Sequence, residues 1–174
     1  LIGHGGEIVL PPRVGRVDHE AELAVIIGRR ASHVSREDAL RYVFGYTCAN
    51  DVSARDFQHK DGQWGRAKGF DTFCPLGPWI VTHLSPAEAS DLGIRATVVR
   101  DGQTIERQDS TTANMVHGIA ELVSFVSSFA TLLPGDVILT GTPEGVGRIV
   151  PGDVVTIEID GIGSLSNPVV AADA

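Results

Sequence analysis

The run Glu20-Ala21-Glu22-Leu23-Ala24-Val25-Ile26-Ile27-Gly28 decides the fold and points to the chemistry. Side chains alternate along a strand, so Glu20 and Glu22 share one face, which continues as Ala24 and Ile26. Ala21, Leu23, Val25 and Ile27 line the other face. Apolar residues on both faces predict a strand covered on both sides. Two carboxylates at the mouth of such a strand have two readings. The strand end emerges into water and both acids are solvated, or a bound cation removes their repulsion and their desolvation cost.

Around this run the chain is rich in turns, with 20 Gly and 9 Pro. Strands are expected at Ile8-Val9-Leu10, at Phe44 to Asn50 ending at Asp51, and at Trp79-Ile80-Val81. Ile94 to Val99 and Thr104 to Glu106 flank Asp101-Gly102, a hairpin signal. Ser35 reads as the N-cap of a short helix through Ala39 and Val43. One long helix is expected from Ala113 to Phe129. Its stripe is Met115, Ile119, Leu122, Val126 and Phe129, with Val116 and Val123 alongside, and His117 beside Val116 reads as a hydrogen-bonded residue of the core or its boundary. Leu133-Pro134-Gly135-Asp136-Val137 recurs as Val150-Pro151-Gly152-Asp153-Val154, each a Pro-Gly turn feeding a strand. Asp160-Gly161 predicts a last hairpin into Ile162 to Leu165. Many short strands, one long helix and no βαβ alternation define a β-dominated α+β fold in one domain over residues 1–174.

With 174 residues, 43% hydrophobic and 21% charged, the chain can bury one substantial core. A net charge of −8 argues against nucleic acid or an anionic membrane surface as partner. Cys48 and Cys74 form no Cys-x-x-Cys pair, so a reducing cytoplasm is the expected compartment. No apolar stretch reaches the roughly 20 residues that span a bilayer.

Asn50-Asp51-Val52-Ser53-Ala54-Arg55-Asp56-Phe57-Gln58 is the second informative segment. A helical turn starting near Asp51 would set Asp51, Arg55 and Gln58 on one face at i, i+4 and i+7. The plainer reading is a helix cap at Asp51 and a surface pair at Arg55. With Glu20 and Glu22, Asp51 would complete three hard oxygen ligands, a set that favours Mg²⁺, Mn²⁺ or Ca²⁺ over Zn²⁺. Lys68, one of two lysines, is either a surface residue or a cation for an oxyanion beside the metal. Thr140-Gly141-Thr142-Pro143 is no nucleotide fingerprint, but its N–H groups and the Thr142 hydroxyl could approach a carboxylate. His19, His33, His59, His83 and His117 lack ligand spacing, and no Gly-x-Ser-x-Gly elbow suggests a serine hydrolase.

Taken in order, Glu20-x-Glu22, Asp51 with Arg55 and Gln58, Lys68-Gly69-Phe70-Asp71 and Thr140-Gly141-Thr142-Pro143 resemble the fumarylacetoacetate hydrolase family over nearly the whole chain. The resemblance implies a mixed β-sandwich or β-roll, usually a homodimer. It implies Mg²⁺ or Mn²⁺ held by Glu20, Glu22 and Asp51, with Lys68 catalytic and Arg55, Gln58 and Thr142 binding substrate. It further implies a 2-oxo or 2,4-dioxo acid substrate and C–C hydrolysis or keto–enol isomerisation, as on a 2-hydroxyhepta-2,4-diene-1,7-dioate. Oxaloacetate decarboxylation and a non-catalytic half of a duplicated enzyme are the rivals. Family members carry a His and a Glu on a lid ahead of the region matching Leu1. His4 and Glu7 do not fit that pattern, and the expectation is that the lid precedes this sequence.

Overall fold

The computed structural model describes residues 1–173. Its strands are β1 (Ile8–Leu10), β2 (Val17–His19), β3 (Ala21–Ile27), β4 (Val43–Asn50), β5 (Ser53–Ala54), β6 (Leu76–Val81), β7 (Gly93–Arg100), β8 (Gln103–Thr111), β9 (Val137–Leu139), β10 (Gly147–Arg148), β11 (Val154–Ile159) and β12 (Gly163–Ala171). Four α-helices accompany them: α1 (Arg55–Asp61), α2 (Gly65–Lys68), α3 (Pro86–Ala89) and α4 (Ile119–Phe129).

The strands form three sheets, in the orders β1-β12-β11-β7-β8, β10-β2-β5 and β6-β4-β3-β9. β11 and β7 of the five-stranded sheet lie against β3 and β4 of the four-stranded one. The β-dominated α+β class expected from the sequence is the one found.

β3 sits between β4 and β9, and all seven of its residues are buried. Ala21, Leu23, Val25 and Ile27 join Ile157, Ile159 and Leu165 in the main apolar core. The alternation therefore sends the other face, which begins with Glu20 and Glu22, away from that core. The Asp101-Gly102 hairpin forms with φ of 51° and 75° at the two turn residues, the positive values a tight two-residue turn requires. Both Pro-Gly turns also form, and each is closed by its aspartate. Asp136 Oδ2 accepts from Leu133 N–H at 2.7 Å, and Asp153 Oδ2 from Val150 N–H at 2.8 Å.

Three elements differ from expectation. Ser35 accepts a hydrogen bond from Asp38 N–H, but the following segment is a 3₁₀ turn, Ala39–Tyr42. The long helix starts at Ile119, not Ala113. Gly118 is extended, with ψ of 162°, and a 3₁₀ turn at Thr112–Asn114 closes under the Thr111 hydroxyl. His117 accordingly lies ahead of the helix, exposed and bonded to Glu121, rather than at a core boundary. Val116 and Phe129 of the expected stripe are exposed, while Ile119 and Val123 are buried. Finally, α1 begins at Arg55, so Asp51 is neither on that helix nor its cap; the N-cap is Ala54.

Candidate metal and oxo-acid site

Backbone pairing brings the acids together. Ala21 pairs with Asn50 across β3 and β4, so Asp51, one residue further, meets Glu20. Asp51 N–H donates to Glu20 O at 2.9 Å, and the Asn50 side chain accepts from Glu20 N–H at 2.9 Å. Glu20, Glu22 and Asp51 each offer a carboxylate oxygen, all within 4.8 Å of one another. Among the described residues no His or Cys joins this group.

Cations flank it. Arg55, the first residue of α1, reaches Glu20 Oε1 with Nη2 at 2.6 Å and Asp18 Oδ2 with Nε at 2.8 Å. Its Nη1 donates to Gln58 Oε1 at 2.8 Å. Lys68, the last residue of α2, donates to Glu20 Oε2 at 2.8 Å and also to Asp51. Burial works against the charge on Arg55 and Lys68, but the facing carboxylates outweigh it and hold both groups above their ordinary values. Burial likewise pushes Asp18 up, and the hydrogen bonds from Arg16 and Arg55 more than reverse it, leaving Asp18 below the usual carboxylate range.

Glu22 is different. It is 3% exposed, and the Gly141 N–H donates to its Oε2 at 2.7 Å. Gly141 has φ of 96°, a conformation that suits glycine and that turns its N–H onto Glu22. Among the described residues Glu22 forms no ion pair. Burial first, and then the charge of Asp51, push it up to about 8. Asp51 is also raised, chiefly by burial, with Lys68 pulling the other way. Such a set binds a proton or a dication more readily than it stays fully ionised. Three hard carboxylates without thiolate or imidazole suit Mg²⁺ or Mn²⁺, so the residues present fit the group.

The acids, Arg55, Gln58, Lys68, Gly141 and Thr142 line one open cavity of about 540 Å³, together with Trp64 and Leu139. All seven residues singled out in the sequence are thus brought together here. Sequence reasoning missed Asp18, Trp64 and Gln108. Asp18 carried a signal, because it continues the alternate-residue spacing of Glu20 and Glu22. Gln108 carried none; it is a buried amide on β8 that bonds to the Thr140–Pro143 loop across the fold.

This fold has known counterparts. A family model described as fumarylacetoacetate (FAA) hydrolase C-terminal matches residues 1–170, and the chain belongs to that family. It is 52% identical over 170 residues to protein Rv2993c of Mycobacterium tuberculosis, covering 98% of this chain and 63% of that protein. The chain thus spans less than two thirds of this relative. It is 48% identical over 179 residues to the mitochondrial oxaloacetate tautomerase fahd2 of Xenopus laevis, covering 98% of this chain and 55% of the relative. Among solved structures, 5-carboxymethyl-2-hydroxymuconate delta-isomerase from Mycobacterium smegmatis superposes with a TM-score of 0.90 at 54% identity, over 99% of this chain and 66% of that one. Maleylpyruvate hydrolase from Sphingobium sp. SYK-6, in complex with manganese(II) and pyruvate, does so with 0.85 at 40%, over 98% and 61%.

Proposed function

We propose that residues 1–174 form the catalytic domain of a dication-dependent enzyme acting on 2-oxo or 2,4-dioxo acids or their enols, by C–C hydrolysis or keto–enol isomerisation. The observation that carries this reading is Glu22, a buried carboxylate with no cationic partner among the described residues, set beside two further acids at the head of β3. Glu20, Glu22 and Asp51 would hold Mg²⁺ or Mn²⁺. When bound, the cation supplies Lewis acidity toward the carboxylate and adjacent oxygen of a 2-oxo acid. Lys68 stays protonated between Glu20 and Asp51 and meets negative charge developing on the substrate's second carbonyl oxygen. Arg55, braced by Asp18 and Gln58, orients the substrate's anionic end, and Thr142 binds from the opposite wall. The manganese and pyruvate of the Sphingobium hydrolase support a hard dication and a 2-oxo acid. The Mycobacterium smegmatis isomerase supports a diene-dioate substrate.

Oxaloacetate is the second reading, favoured by the named Xenopus tautomerase. Enolate stabilisation at one site serves its tautomerisation and its decarboxylation alike. A homodimer is the proposed working state, and the cytoplasm the proposed compartment. No helix among the described residues is long and apolar enough to cross a membrane.

The test pairs binding with turnover. Mn²⁺ is expected to raise the melting temperature of the wild-type chain and to leave Glu22→Gln unmoved; an equal rise in both would overturn the ligand assignment. Mn²⁺-dependent turnover of an acylpyruvate, of 2-hydroxyhepta-2,4-diene-1,7-dioate and of oxaloacetate separates the substrate readings. Metal binding without turnover of any of them would favour a non-catalytic domain.

A further inference from the structure

One side chain joins the carboxylate strand to the loop opposite. Gln108, on β8, is 1% exposed. Its Oε1 accepts from Ala21 N–H at 3.0 Å, the peptide between Glu20 and Glu22, and lies 3.2 Å from His19 Nδ1. Its Nε2 donates to Pro143 O at 2.7 Å and to Thr142 Oγ1 at 2.8 Å. Two of these partners fix the orientation of the amide. A backbone N–H can only donate and a backbone carbonyl can only accept, so Oε1 must face Ala21 and Nε2 must face Pro143. A flipped amide would set donor against donor and acceptor against acceptor.

The consequence falls on Thr142. With Nε2 donating to it, the hydroxyl oxygen is an acceptor on that side, and its single proton cannot point back. Among the described residues that proton meets no acceptor, and Thr142 lines the cavity that holds the three acids, Arg55 and Lys68. A hydroxyl free to turn could offer an incoming anion either its proton or its lone pairs. Gln108 removes that choice, and accepting from the amide also polarises the remaining O–H.

We propose that Gln108 is a positioning residue that sets the Thr142 hydroxyl as a hydrogen-bond donor to the anionic oxygen of a bound 2-oxo acid. The inference rests on the reading of this cavity as a dication-dependent oxo-acid site. Gln108 bonds to none of the three acids and does not line the cavity. It acts through Thr142, and it holds the loop that also carries the Gly141 N–H to Glu22.

The experiment uses the 174-residue chain loaded with Mn²⁺, with pyruvate as the probe. Mn²⁺ affinity is read by electron paramagnetic resonance and pyruvate affinity by calorimetry. Gln108→Glu keeps the shape but presents only acceptors to Thr142, so the hydroxyl turns inward. Pyruvate affinity is expected to fall about tenfold, the scale of one charge-assisted hydrogen bond, with Mn²⁺ affinity unchanged. Thr142→Val should lose the same amount, Thr142→Ser should keep wild-type affinity, and the Gln108→Glu/Thr142→Val double variant should lose no more than either single one. Structural damage would weaken both ligands together. If Gln108→Glu does not fold, Gln108→Met takes its place in the same cycle; it frees the hydroxyl rather than turning it inward, so a smaller loss of pyruvate affinity is expected, again with none added in the double variant beyond that of Thr142→Val. Wild-type pyruvate affinity in the Gln108 variant, or losses that add, overturns this inference alone. Failure of the wild-type chain to bind Mn²⁺ overturns the site reading and this inference with it.

Discussion

Lys68 holds its charge in a place where burial alone would lower its pKa. Its ammonium lies between Glu20 and Asp51, which raise its pKa above the ordinary lysine value against the cost of desolvation. Lys68→Ala should therefore do two opposite things. Turnover should fall about 10²-fold, the usual loss when one oxyanion donor is removed. Mn²⁺ affinity should hold or rise, because a cation competing for two of the three acids has gone. Turnover within a few-fold of wild type, measured at saturating Mn²⁺, would exclude Lys68 from the chemistry. At this scale the sequence was legible where spacing carried the signal, as for Glu20 and Glu22. It was silent on Gln108, whose role depends on partners far away in the chain.

At the scale of elements, expectations failed where one local pattern admitted two structures. Asp51, Arg55 and Gln58 have helical spacing, yet β5 intervenes and the helix opens only at Arg55. They still converge, because the pairing of β3 with β4 delivers Asp51 to Glu20 independently of α1. The apolar stripe from Met115 onward likewise looked continuous, but extended backbone at Gly118 postponed the helix. Strands with turn signals were read more securely, since Asp101-Gly102 and the Pro-Gly-Asp pairs fix their own geometry. A tight contact between β4 and β6 gives a prediction. A Cβ on Gly45 would run into the Val81 carbonyl oxygen and the Ile80 side chain at 2.9 Å. Gly45→Ala should cost about 1–3 kcal/mol by denaturant titration, while Mn²⁺ affinity of the folded fraction stays unchanged. A wild-type midpoint would contradict the packing of this strand pair.

On the scale of the whole molecule, two exposed apolar regions stand out. Phe125 and Phe129 stack edge to face on α4, 65% and 69% exposed, and Phe44 and Trp79 are 55% and 62% exposed on the strand pair β4 and β6. Patches of this kind mark association surfaces. The proposed homodimer predicts sedimentation at about twice the 18.4 kDa chain mass; a monomer across the micromolar range would refute it. The sequence by itself determined the β-dominated class and the strand with its two acids, because alternation and turn chemistry are written locally along the chain, and the order of its motifs carried the resemblance that grouped Asp51, Arg55, Gln58, Lys68 and Thr142 with them. Only the tertiary structure decided that Glu22 has no ion-pair partner among the described residues, that Asp18 braces Arg55 and that Gln108 bonds to Thr142. These facts depend on desolvation and on hydrogen bonds closed between strands distant in sequence, which no local pattern encodes.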